Sequence, residues 1–200
     1  MALLEAALTG RAPGLTLSSE EPVARAMQSR LLAREASQVL AARQYPEAAR
    51  AYSSLLVGEI GAPWPEDRRL LGEWSQALAV AQREHRWSPR GSWPSREVKV
   101  QSGDSLIALR QRHLAEHPDA LLCTGLIERA NRLKGYIQPN QVLKIPVDQV
   151  RILVDLSARW ALFFMGDEVA AAWPVGIGRP GEDTPPGEYT LRNKLENPPW

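Results

Sequence analysis

The sequence predicts an α+β chain of several small domains: an N-terminal helical bundle, a strand-helix-helix-strand module, and a partial antiparallel β domain at the C-terminus. Three observations predict it. Apolar residues recur at helical spacing from about Val23 to Glu84. Short alternating runs bracket a helical stretch between Val98 and Pro146, and three strand-like runs separated by turn residues follow Pro146. At 200 residues and 44% hydrophobic, the chain has room for two or three small domains instead of one large core.

Residues 1–10 are apolar but carry Glu5, and the first basic residue, Arg11, follows the apolar run. That is the reverse of a secretory signal, and no segment has transmembrane length. Residues 1–22 are expected to be a flexible lead-in, because Pro13, Gly14, Ser18, Ser19 and Pro22 crowd its second half. Residues 23–84 carry three helical stripes. Leu31, Leu32, Ala36, Val39 and Leu40 form the first, and Tyr45, Ala48, Ala49, Tyr52, Leu55 and Leu56 the second after a break at Tyr45-Pro46. Leu70, Leu71, Trp74, Ala77, Leu78 and Ala81 form the third. The segment Ala41 to Leu56 resembles the turn and second helix of a tetratricopeptide repeat. Only one copy is present, and stacked repeats need several units to bury a core, so a cap or spacer is favoured over a protein-docking surface.

Residues 85–96 read as a linker, with Pro, Gly and Ser concentrated there and Trp87 and Trp93 expected to pack on a neighbour. His85, His113 and His117 lack metal-ligand spacing and are read as surface residues, so no metal site is expected. Val98 and Val100 open a strand that ends at Gly103. Asp104 is the expected N-cap of a helix carrying Leu106, Ile107, Leu109 and Leu114, and a second helix is expected from about Ala120 to Leu133. Cys123, the single cysteine, falls inside that second helix as a small buried hydrophobe. Pro139-Asn140 then supplies a type II turn that returns Gln141–Ile145 beside the first strand.

Ser102-Gly-Asp-Ser-Leu106, Asn131-Arg-Leu133 and Ile137-Gln-Pro-Asn-Gln-Val-Leu-Lys-Ile-Pro146 together resemble a LysM domain over residues 97–146. The resemblance departs at Asn140, where that family most often has Gly, and both residues accept the turn. It implies a βααβ module that binds N-acetylglucosamine-containing glycan, peptidoglycan or chitin. The groove it implies has Gly103, Asp104, Ser105 and Leu106 on one side and Tyr136, Ile137 and Gln138 on the other. Taken singly, Asp104 reads better as a helix cap and Leu106 as core, so glycan binding rests on the assembled motif.

After Pro146, Arg151–Leu156, Trp160–Met165 and Glu168–Val175 predict an antiparallel meander, followed by a Gly/Pro-rich loop that leads into another strand near Tyr189. Gly176, Gly178 and Gly181 do not make a phosphate loop, since no helix follows and no Lys-Ser/Thr pair is present. Val154–Ser157, Val175–Gly178, Thr184–Thr190 and Lys194–Trp200 resemble the opening of the L,D-transpeptidase (YkuD-type) catalytic domain, across residues 150–200. That family cross-links or anchors peptidoglycan stems with a nucleophilic Cys activated by His. No Cys and no His follows Pro146, and Cys123 belongs to another segment, so no catalytic residue is assigned and the chain is expected to be inactive alone. The β domain is accordingly expected to be a fragment with an uncovered strand edge and apolar face.

The fold class is then an α+β multidomain chain of N-terminal helical bundle, LysM βααβ module and C-terminal partial antiparallel β domain. The function expected is a peptidoglycan-binding cell-envelope protein of the L,D-transpeptidase family. Its partners are glycan strands and a possible protein bound by the helical region, and no cofactor is implied. The alternatives are a non-catalytic LysM adaptor and a purely structural spacer. Net charge is +1 and basic residues form no cluster with aromatics, which argues against nucleic acid as a partner.

Overall fold

The computed structural model describes residues 11–12, 15–16, 22–60, 68–118, 120–178 and 181–190. Two short strands, β1 (Arg11–Ala12) and β2 (Leu15–Thr16), pair antiparallel where a flexible lead-in is expected. The rest of that lead-in lies outside the described residues. Three helices follow: α1 (Pro22–Ala41), α2 (Tyr45–Glu59) and α3 (Arg68–His85). The break between α1 and α2 falls where Tyr45-Pro46 predicts it, because proline is tolerated in a first helical turn but not in an interior one. Arg43, at φ 60°, reverses the chain there.

The strand-helix-helix-strand module comprises β3 (Ser95–Lys99), α4 (Leu106–Glu116), α5 (Thr124–Asn131) and β4 (Val142–Pro146). β3 and β4 pair antiparallel from Ser95↔Pro146 to Lys99↔Val142. The turn forms as the sequence predicts: Asn140 takes φ 68° and Gln141 N–H donates to Gln138 O at 3.1 Å. Val100, Leu109, Leu122, Ile127, Leu143 and Ile145 make the module's core. The buried amide of Asn131 locks α5 to the outer edge of β4. Its Nδ2 donates to Lys144 O at 2.8 Å and its Oδ1 accepts from Lys144 N–H at 2.8 Å.

The meander is a three-stranded sheet of β5 (Val150–Asp155), β6 (Trp160–Met165) and β7 (Glu168–Pro174), with a register irregularity between Phe163 and Phe164. The strand expected near Tyr189 does not form among the described residues to Thr190, and Leu191 lies outside them. Trp160, Leu162, Phe164 and Val169 enter one apolar cluster with Ala48, Leu56, Leu71 and Leu78, so helices and sheet share a core. One face of the sheet is therefore covered. The opposite face leaves Ile152 50% and Val154 46% exposed.

Buried side chains from the helices also satisfy the edge strand β7. Ser53 Oγ accepts from Val169 N–H at 2.8 Å, and Gln82 Nε2 donates to Val169 O at 2.8 Å and to Glu168 Oε1 at 2.6 Å. An open strand edge otherwise presents its backbone groups to any passing chain.

The segment read as a linker is a packed joint. Trp87 and Trp93 are buried, and Arg86, also buried, pairs with Asp148 at 2.5 Å. Gly91 lies so close to His85 that an added Cβ would meet the His85 carbonyl oxygen at 1.6 Å, and only glycine fits. Two histidines read as surface residues, His85 and His113, are buried, and burial pulls both imidazoles below their ordinary range. Leu31, placed by its spacing on the buried stripe of α1, is instead exposed.

Gln82→Ala leaves the buried Val169 carbonyl without a donor and should cost about 2–3 kcal/mol, against about 1–2 kcal/mol for Ser53→Ala. Urea unfolding checks this. A loss below about 0.5 kcal/mol for Gln82→Ala would show that the β7 edge is held by other means.

Candidate functional site

Both loops implied by the glycan-binding resemblance rise from one end of the β3-β4 pair. Val100 N–H donates to Gln141 O and Asn140 N–H donates to Val100 O, each at 2.8 Å, so the two chain segments leave the sheet side by side. Leu106 and Ile137, one in each segment, are half-buried and pack against the module core.

The remaining residues divide. Gly103, at φ 86°, makes the reversal that a side chain would strain. The Asp104 carboxylate is fully engaged in structure: Oδ2 accepts from Gln101 N–H at 2.8 Å and Oδ1 from Arg112 Nη2 at 2.7 Å. The Gln101 hydrogen bond, with Arg112 second, holds this carboxyl below the usual carboxylate range. The helix cap is not Asp104 but its neighbour. Ser105 Oγ accepts from Ala108 N–H at 3.1 Å, and α4 starts at Leu106. Asp104 instead closes the preceding turn, which its Oδ reaches more easily from one residue further back.

On the other side Tyr136 is 97% exposed, and Gln138 is exposed with its N–H donating to Gln141 Oε1 at 3.0 Å. The exposed set is thus Gly103, Ser105, Tyr136 and Gln138, beside half-buried Leu106 and Ile137. Ile107 adds to it. The sequence places Ile107 on the helix's apolar stripe, yet it is 60% exposed at the start of α4, beside the first loop. Its signal was an excess of apolar residues in a helix whose buried positions are only Leu109 and His113.

The second helix starts later than its apolar pattern predicts. Ala120 to Cys123 are not helical, and Leu122 O is taken by Arg110 Nε at 2.6 Å. Cys123 is therefore an exposed N-cap of α5, not a buried hydrophobe within it. Among the described residues no group of three or more His, Cys, Asp or Glu side chains could hold a metal ion.

Residues 149–200 match the L,D-transpeptidase catalytic domain, the YkuD family. Comparisons with curated proteins and with solved structures return no match. The described part of the matched segment is the β5-β6-β7 sheet and the exposed loop after it, and it contains no Cys or His side chain.

These contacts separate Asp104 from Tyr136. Asp104→Ala should lower the melting temperature of the chain by freeing the Gln101 amide and Arg112, whereas Tyr136→Ala should leave it within a degree or so, as expected for a side chain that touches almost nothing. Thermal unfolding followed by circular dichroism checks both. Equal effects would contradict the division of the site into supporting and exposed residues.

Proposed function

We propose that this chain is a peptidoglycan-binding component of the cell envelope, in which the β3-α4-α5-β4 module holds N-acetylglucosamine-containing glycan beside an L,D-transpeptidase-like sheet. One observation carries the reading: an exposed set of small and polar residues beside half-buried Leu106 and Ile137, in a chain whose following segment is similar to an L,D-transpeptidase catalytic domain. A glycan strand is neutral and amphipathic. It is bound by amides and hydroxyls that orient its acetamido and hydroxyl groups, with an apolar surface against the ring face. Gly103 offers backbone groups, Gln138 an exposed side-chain amide, Ser105 a hydroxyl, and Tyr136 and Ile107 aromatic and aliphatic surface.

Asp104 contributes by holding the first loop in shape. A glycan bound at the site would be tethered to the sheet through the joint, where Arg86 pairs with Asp148 and Trp87 packs with Met165 and Ala170. That geometry raises the effective concentration of peptide stems near the sheet. Acyl transfer in the L,D-transpeptidase family uses a Cys thiolate activated by a His, and residues 147–200 contain neither residue. The adaptor reading draws on Met27 and Leu31, exposed one turn apart on α1, as a place for a protein partner.

Titrating the ¹⁵N-labelled chain with an N-acetylglucosamine tetramer tests the proposal. The amides of Gly103, Ser105, Tyr136 and Gln138 should shift while those of Ser53 and Trp87 stay in place. Shifts confined to other residues, or none at millimolar oligosaccharide, would overturn it.

A further inference from the structure

A second groove lies on the far side of α5, where the module meets α3. It encloses about 670 Å³ and is lined by Arg83, Trp87, Glu128, Arg129 and Arg132. Three guanidiniums thus face one concavity, and their states differ. Arg132 is committed: its Nε donates to Trp87 O at 2.7 Å and its Nη2 to Glu84 Oε2 at 3.0 Å and to the Arg83 carbonyl. Arg83 Nε donates to Glu84 Oε1 at 2.9 Å. Glu84 is accordingly held below the usual carboxylate range by its bonds to Arg132 and Arg83.

Arg129 makes no hydrogen bond or ion pair to a described residue. Its guanidinium is stacked over the Trp87 ring, 4.7 Å from the centroid. A guanidinium over a ring face is attracted by the π-system and keeps its N–H donors available. Beneath it Trp87 is 5% exposed, and its Nε1–H has no acceptor. The groove therefore holds one cation that is set over an aromatic ring and has no ion-pair partner among the described residues, against Glu128 as the competing carboxylate.

We propose that this groove binds a carboxylate of an acidic peptide, with Arg129 as the bidentate anchor. The charge balance selects that chemistry. Three guanidiniums against Glu84 and Glu128 leave one net positive charge, which matches a single planar carboxylate and falls short of a phosphate dianion or a nucleic-acid backbone. The volume admits a few residues, and because the groove is formed by α3 and α5 it does not depend on the glycan surface.

The test follows the Trp87 indole N–H signal, assigned with Trp87→Phe, while the folded chain is titrated with N-acetyl-glutamyl-alanine or with its fully amidated counterpart. The acid should bind at least tenfold more tightly than the amide, and binding should weaken as salt rises. Arg129→Gln should cost about tenfold or more, and Arg129→Lys less, since the charge stays over the ring while the fork is lost. Glu128→Gln should tighten binding, a gain that misfolding cannot imitate. Equal binding of acid and amide, an unchanged affinity in Arg129→Gln, weaker binding in Glu128→Gln, or no binding at millimolar peptide would overturn the proposal.

Discussion

Two side-chain amides hold this structure together at the places where a small sheet is weakest. Asn131 gives Lys144 both a donor and an acceptor, as a neighbouring strand would. Gln82, with Ser53, does the same for Val169 at the edge of β7. Sheets of two and three strands have more edge than interior, and a buried edge group without a partner costs as much as several methylenes of good packing repay. By capping these edges from helices, the chain turns each sheet into one face of a helix-sheet layer. The apolar clusters then form around positions the hydrogen bonds have set.

The joint between the layers has the same logic with charge added. Arg86 is buried and pairs with Asp148, Lys144 Nζ donates to Gly91 O at 2.7 Å, and Arg132 reaches back to the end of α3. Arg86, removed from water in this way, would be costly to separate from its partner, which favours the observed arrangement of the joint. The candidate glycan-binding residues and the arginine groove both lie on the module that this joint ties to the helices.

Much of this was legible in the residues. The three meander strands, the strand-helix-helix-strand order, the turn at Asn140 and the helix break at Tyr45-Pro46 follow from period and turn chemistry, which are local properties. What local chemistry could not supply is tertiary. His85 and His113 look like surface residues until the packing around them is known, whereas the burial of Trp87 and Trp93 in the linker-like segment 85–96 is as expected. The helix caps lay between these cases. Asp104 and Ser105 are both competent caps, and the choice between them was decided by Gln101 and Arg112, which claim the carboxylate. For the same reason the division of the candidate glycan residues into supporting and exposed members was not legible in the sequence.

The measurement that tests the central claim most directly is co-sedimentation of the chain with purified peptidoglycan sacculi, comparing the native sequence with Tyr136→Ala/Ile107→Ser. Both substitutions fall on exposed side chains, so the fold should survive and circular dichroism should be unchanged. The account predicts that the native chain pellets with sacculi and the variant stays largely in solution. Equal pelleting of the two would contradict the site, and failure of the folded native chain to pellet would contradict the glycan-binding function itself.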